Sequence, residues 1–261
     1  MNLKGKICQL KRQVKQVVLP RDCLPNRLNN KSLLDLKDIH KGRRAFILGN
    51  GPSLTIEDMN LLKGEITFAS NKIYLAYDQT DWRPTYLTCT DTIVARNNRE
   101  TLLEQKETKI FGHGVFSEFK GTDNIIFCNV RKSAERALNW DLIDGISTGH
   151  SVVYYDLELA YWMGIREVYV LGVDFSFDVQ SSKTGEKAMG NDVIKAAGEK
   201  NHFHPDYRKP GETWTMPKLD IQREEFLVAL EKFKSDGGKI VNVSRQTKLD
   251  TWPTAILEDI L

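Results

Sequence analysis

The sequence predicts an α/β protein: a mostly parallel sheet with helices on both faces and a long lid segment. Three observations carry this. Short apolar runs of strand length alternate with stretches of helical periodicity along most of the chain. The first such run, Ala45–Leu48, stops in a glycine turn, Gly49-Asn50-Gly51-Pro52, that leads into a helix start. From Phe175 to Pro217 the alternation lapses, apart from a short helix expected near Asp192–Glu199. A stretch of that length inside a compact domain is usually a lid or binding loop.

Size and composition bound the answer. A chain of 261 residues buries a full core in one large domain, or in one domain with appendages. The net charge of +2 does not select nucleic acid as a partner. No apolar run approaches the ~18 residues of a spanning helix. The N-terminus lacks the apolar segment of a signal peptide, so a cytoplasmic location is expected. Cys8, Cys23, Cys89 and Cys128 form no C-x-x-C, which favours reduced, mostly buried thiols over disulfides or a zinc site.

Met1 to Pro20 carries Lys4, Lys6, Lys11, Arg12 and Lys15 and no acid, with Leu3, Ile7, Leu10, Val14, Val17 and Val18 at helical spacing. Such a basic amphipathic helix can lie on an anionic membrane surface, dock a partner, or pack on its own domain. Pro20, Pro25 and Asn26 to Lys31 read as a linker. The boundary is therefore set between an N-terminal segment, 1–41, and a main domain, 42–261.

Within the main domain each element has a local cause. Ala45–Leu48 is the first strand. Ser53 or Thr55 can cap the helix Ile56–Leu62, with Glu57 and Asp58 in its first turn and Lys63-Gly64 as its stop. Ile66–Ala69 and Tyr86–Cys89 are strands ending at Ser70-Asn71 and Thr90-Asp91. Asp91 to Gln105 is polar and reads as one helix. Lys109–Phe111 and Asn124–Cys128 are short strands. Ile146-Ser147-Thr148-Gly149 opens an apolar helix, Ser151 to Met163, closed by Gly164. Glu167–Leu171 is the most strand-like run of the chain and ends at Gly172-Val173-Asp174. Leu219 to Ser235 is amphipathic, Gly237-Gly238 stops it, and Lys239–Val243 is the last strand.

The polar groups at the strand ends are the candidate site, because ligands of such sheets sit at the carboxyl ends of strands near a switch point. A strand, glycine turn and helix start is an anion-holding arrangement: glycines let the backbone approach closely, and free N–H groups point at the ligand. This turn is neither the dinucleotide G-x-G-x-x-G nor the P-loop. Asn50, Asn71, Asp91 and Asp174 follow four strands, and Thr148 and Gly149 open a helix. Each alone is as well explained as a cap or turn former, but together they point to one rim. In the lid, NHFHPDY spans Asn201 to Tyr207. His202 and His204 share a face in an extended segment. They suit a general base for a hydroxyl nucleophile, a zinc site that lacks an obvious third ligand, or polar loop positions without chemistry.

GNGPSL at Gly49–Leu54, FASN at Phe68–Asn71, ISTG at Ile146–Gly149, LGVDF at Leu171–Phe175, NHFHPDY and the closing KLDTWP at Lys248–Pro253 occur in that order. This order resembles the family called domain of unknown function 115, or 6-hydroxymethylpterin diphosphokinase-like, over about Gly42 to Pro253. GNGPSL with a later G-[IV]-D-F is also similar to the glycosyltransferase family 42 sialyltransferases of bacterial surface glycans. That resemblance implies a Rossmann-like fold, a CMP-activated sugar donor, a glycan or lipid-linked acceptor, a histidine base and no metal for the chemistry. By position it implies that the Gly49-Asn50-Gly51-Pro52-Ser53 turn holds phosphate and ribose. Asn71, Thr148, Gly149 and Asp174 would contact the nucleotide, and His202, or else His204, would be the base. Ser176 stands where those enzymes place a tyrosine that helps the phosphate leave. Asp91 stands where they place an asparagine, and no arginine precedes ISTG. The diphosphokinase resemblance implies instead that Asp91 and Asp174 hold Mg²⁺ on a polyphosphate. A non-catalytic nucleotide-sugar-binding protein is the third reading.

Overall fold

The structure is a computed structural model that describes residues 26–130, 140–180, 182–188 and 191–261. The expected basic helix at Met1–Pro20, with Cys8 and Cys23, lies outside the described residues. Cys89 and Cys128 are free and buried, as expected.

Seven strands form one parallel sheet: β1 (Arg44–Leu48), β2 (Ile66–Ser70), β3 (Tyr86–Cys89), β4 (Thr108–Gly112), β5 (Ile125–Cys128), β6 (Glu167–Leu171) and β10 (Lys239–Asn242). Their order is β10-β6-β1-β2-β3-β4-β5. Both faces are covered, which is why β1 and β6 read as continuous apolar runs rather than alternating ones. Ala45 and Ile47 face one core with α5 (Val152–Trp162) and α6 (Leu219–Ser235). Phe46 and Leu48 face the other, with Met59 of α2 (Ile56–Leu61), Ala95 of α3 (Thr92–Asn97) and Leu102 of α4 (Arg99–Glu104). Among the described residues no helix is long and apolar enough to cross a membrane.

Three expectations are corrected. The linker at Asn26–Lys31 is the start of a helix, α1 (Asn26–Asp35). Leu33 in it and Leu36 just past its end are buried, and the Trp162 indole donates to the Leu33 carbonyl at 2.7 Å. The helix expected over Asp91–Gln105 breaks at Asn98, whose backbone is not helical and whose side chain accepts from the Tyr74 hydroxyl at 2.9 Å. The lid holds no helix near Asp192–Glu199. It carries an antiparallel sheet of β7 (Ser182–Ala188), β8 (Asn191–Lys195) and β9 (Thr213–Thr215). β-Branched Val193 and Ile194 are buried there, against a core of Ile194, Ala196 and Trp214 too small to leave a clear periodicity.

The connections fix where a ligand can go. From β1 the chain steps outward through β2 to β5, then returns to lay β6 on the other side of β1. The crossovers diverge between β1 and β6, and a crevice opens at their carboxyl ends.

Candidate functional site

A cleft fills this crevice and encloses about 690 Å³ out to its mouth, the size range of small-molecule and cofactor sites. It gathers Gly49, Asn50 and Gly51 after β1, Asn71 after β2, and Asp174 and Ser176 after β6. The lid adds His202 and Tyr207, and α6 adds Gln222 and Phe226. Seven sequence-predicted residues thus meet in one place.

The glycine turn works differently from the expected anion cradle. Gly49 N–H donates to the Leu171 carbonyl at 2.8 Å and Gly51 N–H to the Gly172 carbonyl at 2.9 Å. Ser53 gives its N–H to Asp174 Oδ2 at 2.8 Å and its hydroxyl to Asp174 Oδ1. A Cβ on Gly49 would stand 2.4 Å from the Gly172 oxygen, and one on Gly51 would stand 2.6 Å from it. The glycines therefore let the ends of β1 and β6 touch, and these N–H groups have internal partners. Thr55, not Ser53, caps α2, in a capping box with Asp58. Pro52 lines a neighbouring cleft.

Side chains remain to meet a ligand. Asn50 Nδ2 donates to the carbonyl and hydroxyl of Ser70 at 3.3 and 3.2 Å, while its buried Oδ1 has no hydrogen-bond partner among the described residues. Asn71 Oδ1 is left in the same condition. Asn71, His150 and Phe175 all hold left-handed backbone, with φ of 56°, 56° and 53°. Such conformations cost of order 1–3 kcal/mol each and cluster at functional sites. Burial pushes the Asp174 carboxyl up, and its Ser53 hydrogen bonds oppose that. The closing segment braces it: Lys248 N–H reaches the Asp174 carbonyl at 2.8 Å, and Trp252 packs on Phe226 with ring centroids 4.5 Å apart.

Four predicted residues have other work. Thr148 and Gly149 stand before α5, where the Thr148 carbonyl accepts from Ser151 N–H at 2.7 Å. Gly149, at φ 49°, lies against the Tyr154 ring. The cleft is lined instead by Ser151, Val152 and Val153. Asp91 caps α3, its Oδ1 accepting from Ile93 and Val94 N–H at 2.7 and 3.1 Å. Its Oδ2 accepts from the Thr215 hydroxyl at 2.7 Å and so ties β9 to the body. β3 and β6 lie three strand spacings apart, ~14 Å, so Asp91 and Asp174 do not hold one Mg²⁺ between them. Among the described residues no three His, Cys, Asp or Glu side chains form a metal-holding group. His204 caps the short 3₁₀ turn Pro205–Tyr207, its Nδ1 accepting from Asp206 N–H at 3.1 Å.

His202 is placed otherwise. Its ring lies flat on Tyr207, centroids 3.8 Å apart and planes within 5°. Burial, and then the charges of Arg208 and Lys72, hold its imidazole well below the usual histidine range. Lys72 Nζ donates to the Tyr207 carbonyl at 2.6 Å, and Phe203 N–H donates to the Asn50 carbonyl at 2.9 Å. Sequence reasoning missed Tyr207, Lys72, Gln222 and Phe226. Tyr207 stood inside NHFHPDY and Lys72 beside Asn71, so both were in view without a role. The α6 pair resembles any amphipathic helix face.

No curated protein matches the chain. The solved structure of MAf glycosyltransferase from Magnetospirillum magneticum AMB-1 aligns with a TM-score of 0.53 and 13% identity. The alignment covers 88% of this chain and 38% of that one, so this chain spans well under half of that protein. At that identity the likeness is one of fold, and it agrees with a Rossmann-like sheet. Residues 23–180 match the family described as 6-hydroxymethylpterin diphosphokinase MptE-like. That match covers more than half of the chain and includes the glycine turn, the start of α5 and the end of β6 that build the cleft, and the chain belongs to this MptE-like family.

Proposed function

We propose that the protein is a glycosyltransferase that moves a sugar from a nucleotide donor, a CMP-activated sialic-acid-type sugar being the first candidate, to a hydroxyl of a glycan or lipid-linked acceptor. The observation that carries this reading is the meeting of His202, an imidazole held toward its neutral form, with two amide oxygens that have no partner among the described residues, Asn50 Oδ1 and Asn71 Oδ1, in one cleft. The amide oxygens are acceptors suited to the hydroxyl and amino groups of a nucleoside. His202 takes the acceptor hydroxyl proton as that oxygen bonds to the anomeric carbon. The bond from that carbon to the phosphate oxygen breaks, and its electron pair leaves with the nucleotide. The donor's negative charge raises the His202 pKa at the moment the proton is taken. The lid keeps out water that would hydrolyse the donor. The family's name favours pyrophosphoryl transfer as a second reading, but the separation of Asp91 from Asp174 removes the Mg²⁺ pair on which that reading rested. A basic helix at residues 1–20 would bring the protein to the inner face of the membrane, where a lipid-linked acceptor lies.

Thermal shift with CMP, CDP, UDP, GDP and ATP, each with Mg²⁺ or EDTA, tests the proposal. Ligand at a hundred times its dissociation constant stabilises by about 2.7 kcal/mol. A shift with CMP that survives EDTA is expected. A shift with UDP or GDP keeps sugar transfer and discards the CMP donor, and one with ATP and Mg²⁺ alone overturns the reading.

A further inference from the structure

A second cleft adjoins the first, built by the lid segment Gly198–Pro210 against Pro52. Two residues line both clefts, His202 and Tyr207. A base positioned between two clefts meets a donor from one side and an acceptor from the other.

The charge of the second cleft identifies what it takes. Lys200, Arg208 and Lys209 line it. Of its two carboxylates, Glu199 is buried and turned inward, accepting from the N–H groups of Gln180, Ala197 and Gly198 at 3.1, 2.9 and 3.1 Å. Asp206 alone faces solvent, so three cations meet one exposed carboxylate. The Arg208 guanidinium is stacked 3.7 Å from the Trp214 ring, and its Nη1 is buried with no hydrogen-bond partner among the described residues. That ring lies in a third cleft with Lys72, Asp91 and Glu212, so Arg208 adds positive potential to the second cleft, and the open donors there are Lys200 and Lys209. Pro205 and Pro210 supply apolar surface for the C–H face of a sugar ring.

We infer that this second cleft binds the acceptor, and that the acceptor is a glycan carrying an oxoanion, a sugar carboxylate or phosphate, held by Lys200 and Lys209 in the positive field of Arg208 with its reacting hydroxyl at His202. This rests on the transferase reading and names its second substrate class.

The test uses the full chain, with glucose, glucuronate and glucose 1-phosphate as probes in ligand-observed NMR titrations. The Lys200→Ala/Lys209→Ala double variant is titrated beside the wild type, and nucleotide binding is measured on the same preparations. Both residues sit on the surface loop, so the variant retains the fold. At least one charged probe is expected to bind about tenfold tighter than glucose. The double variant should lose that advantage while keeping its nucleotide affinity. Preference for glucuronate assigns a carboxylate acceptor, and preference for glucose 1-phosphate a phosphate one. Equal binding of glucose and both charged probes, no binding by any probe, or an advantage that survives the double substitution overturns the inference. If nucleotides bind and the advantage is missing, the inference falls alone. If the advantage is present and no nucleotide binds, sugar transfer falls and the anion cleft stands.

Discussion

His202 and Asn50 carry the argument at the scale of single residues. His202→Ala should abolish transfer and leave nucleotide affinity nearly intact; transfer that survives assigns the base elsewhere. The folded pKa of His202 lies below the unfolded value near 6.5, so the unfolded chain binds more protons below neutrality. Its contribution is full above pH 6.5, and stability is lost as pH falls below that value. In the proposed transfer an anionic donor would raise the same pKa. The acid limb of kcat should therefore lie at higher pH than that of kcat/KM, a difference read from paired pH–rate profiles. Asn50→Ala should weaken nucleotide binding by roughly 1–3 kcal/mol, measured by titration calorimetry, because the ligand donor it accepts from is left unpaired. Asn50, Asn71, Asp174 and His202 were legible because each follows a strand end or a dense local motif. Asp91 and Thr148 show the limit. A cap and a ligand contact require the same oxygen chemistry, so only the fold tells that Asp91 spends its oxygens on α3 and Thr215.

Elements explain the next level. α5 packs on β1 and β3 with α6 beside it, almost all of it is buried, and Asp156 is 0% exposed in its middle. Burial pushes that carboxyl well above the ordinary carboxylate range, with the Thr88 hydroxyl offsetting part of the effect. Here the sign is opposite to His202. Above pH 3.8 the unfolded carboxyl ionises more readily, so stability falls as pH rises toward the folded pKa. Asp156→Asn should raise Tm at pH 7.5, and the gain should shrink toward pH 4; a Tm unchanged at both pH values would refute the burial argument. In the lid, Thr215→Val removes one hydrogen bond, worth about 1 kcal/mol, while the Asp91 cap on α3 stays. Faster hydrogen exchange confined to β8 and β9 is the expected result, and unchanged protection would show that Thr215 does not hold the lid. The sequence signalled that 175–217 was unusual but not that it was a sheet. β8 and β9 present five and three residues, too few for a period of two to stand out.

Across the whole molecule, the parallel sheet was readable because strands buried on both faces leave solid apolar runs, and seven of them were visible. The strand order was not, since nothing local records that β6 returns beside β1. The basic stretch before Pro20 bears on where the molecule works. Removing Met1–Pro20 should release the protein from anionic vesicles without lowering its Tm; equal vesicle sedimentation with and without it would end that proposal. One contact links these scales. The loop that carries His202 is tied through Phe203 N–H to the main-chain carbonyl of Asn50, the residue whose amide is proposed to meet the nucleoside. If the lid rises, that tie breaks and His202 leaves with it. On the proposed transferase reading the arrangement works like an appliance with an interlocked door: an open cleft would also be a disarmed one, and an activated donor that arrived early would wait beside water without a base to spend it on.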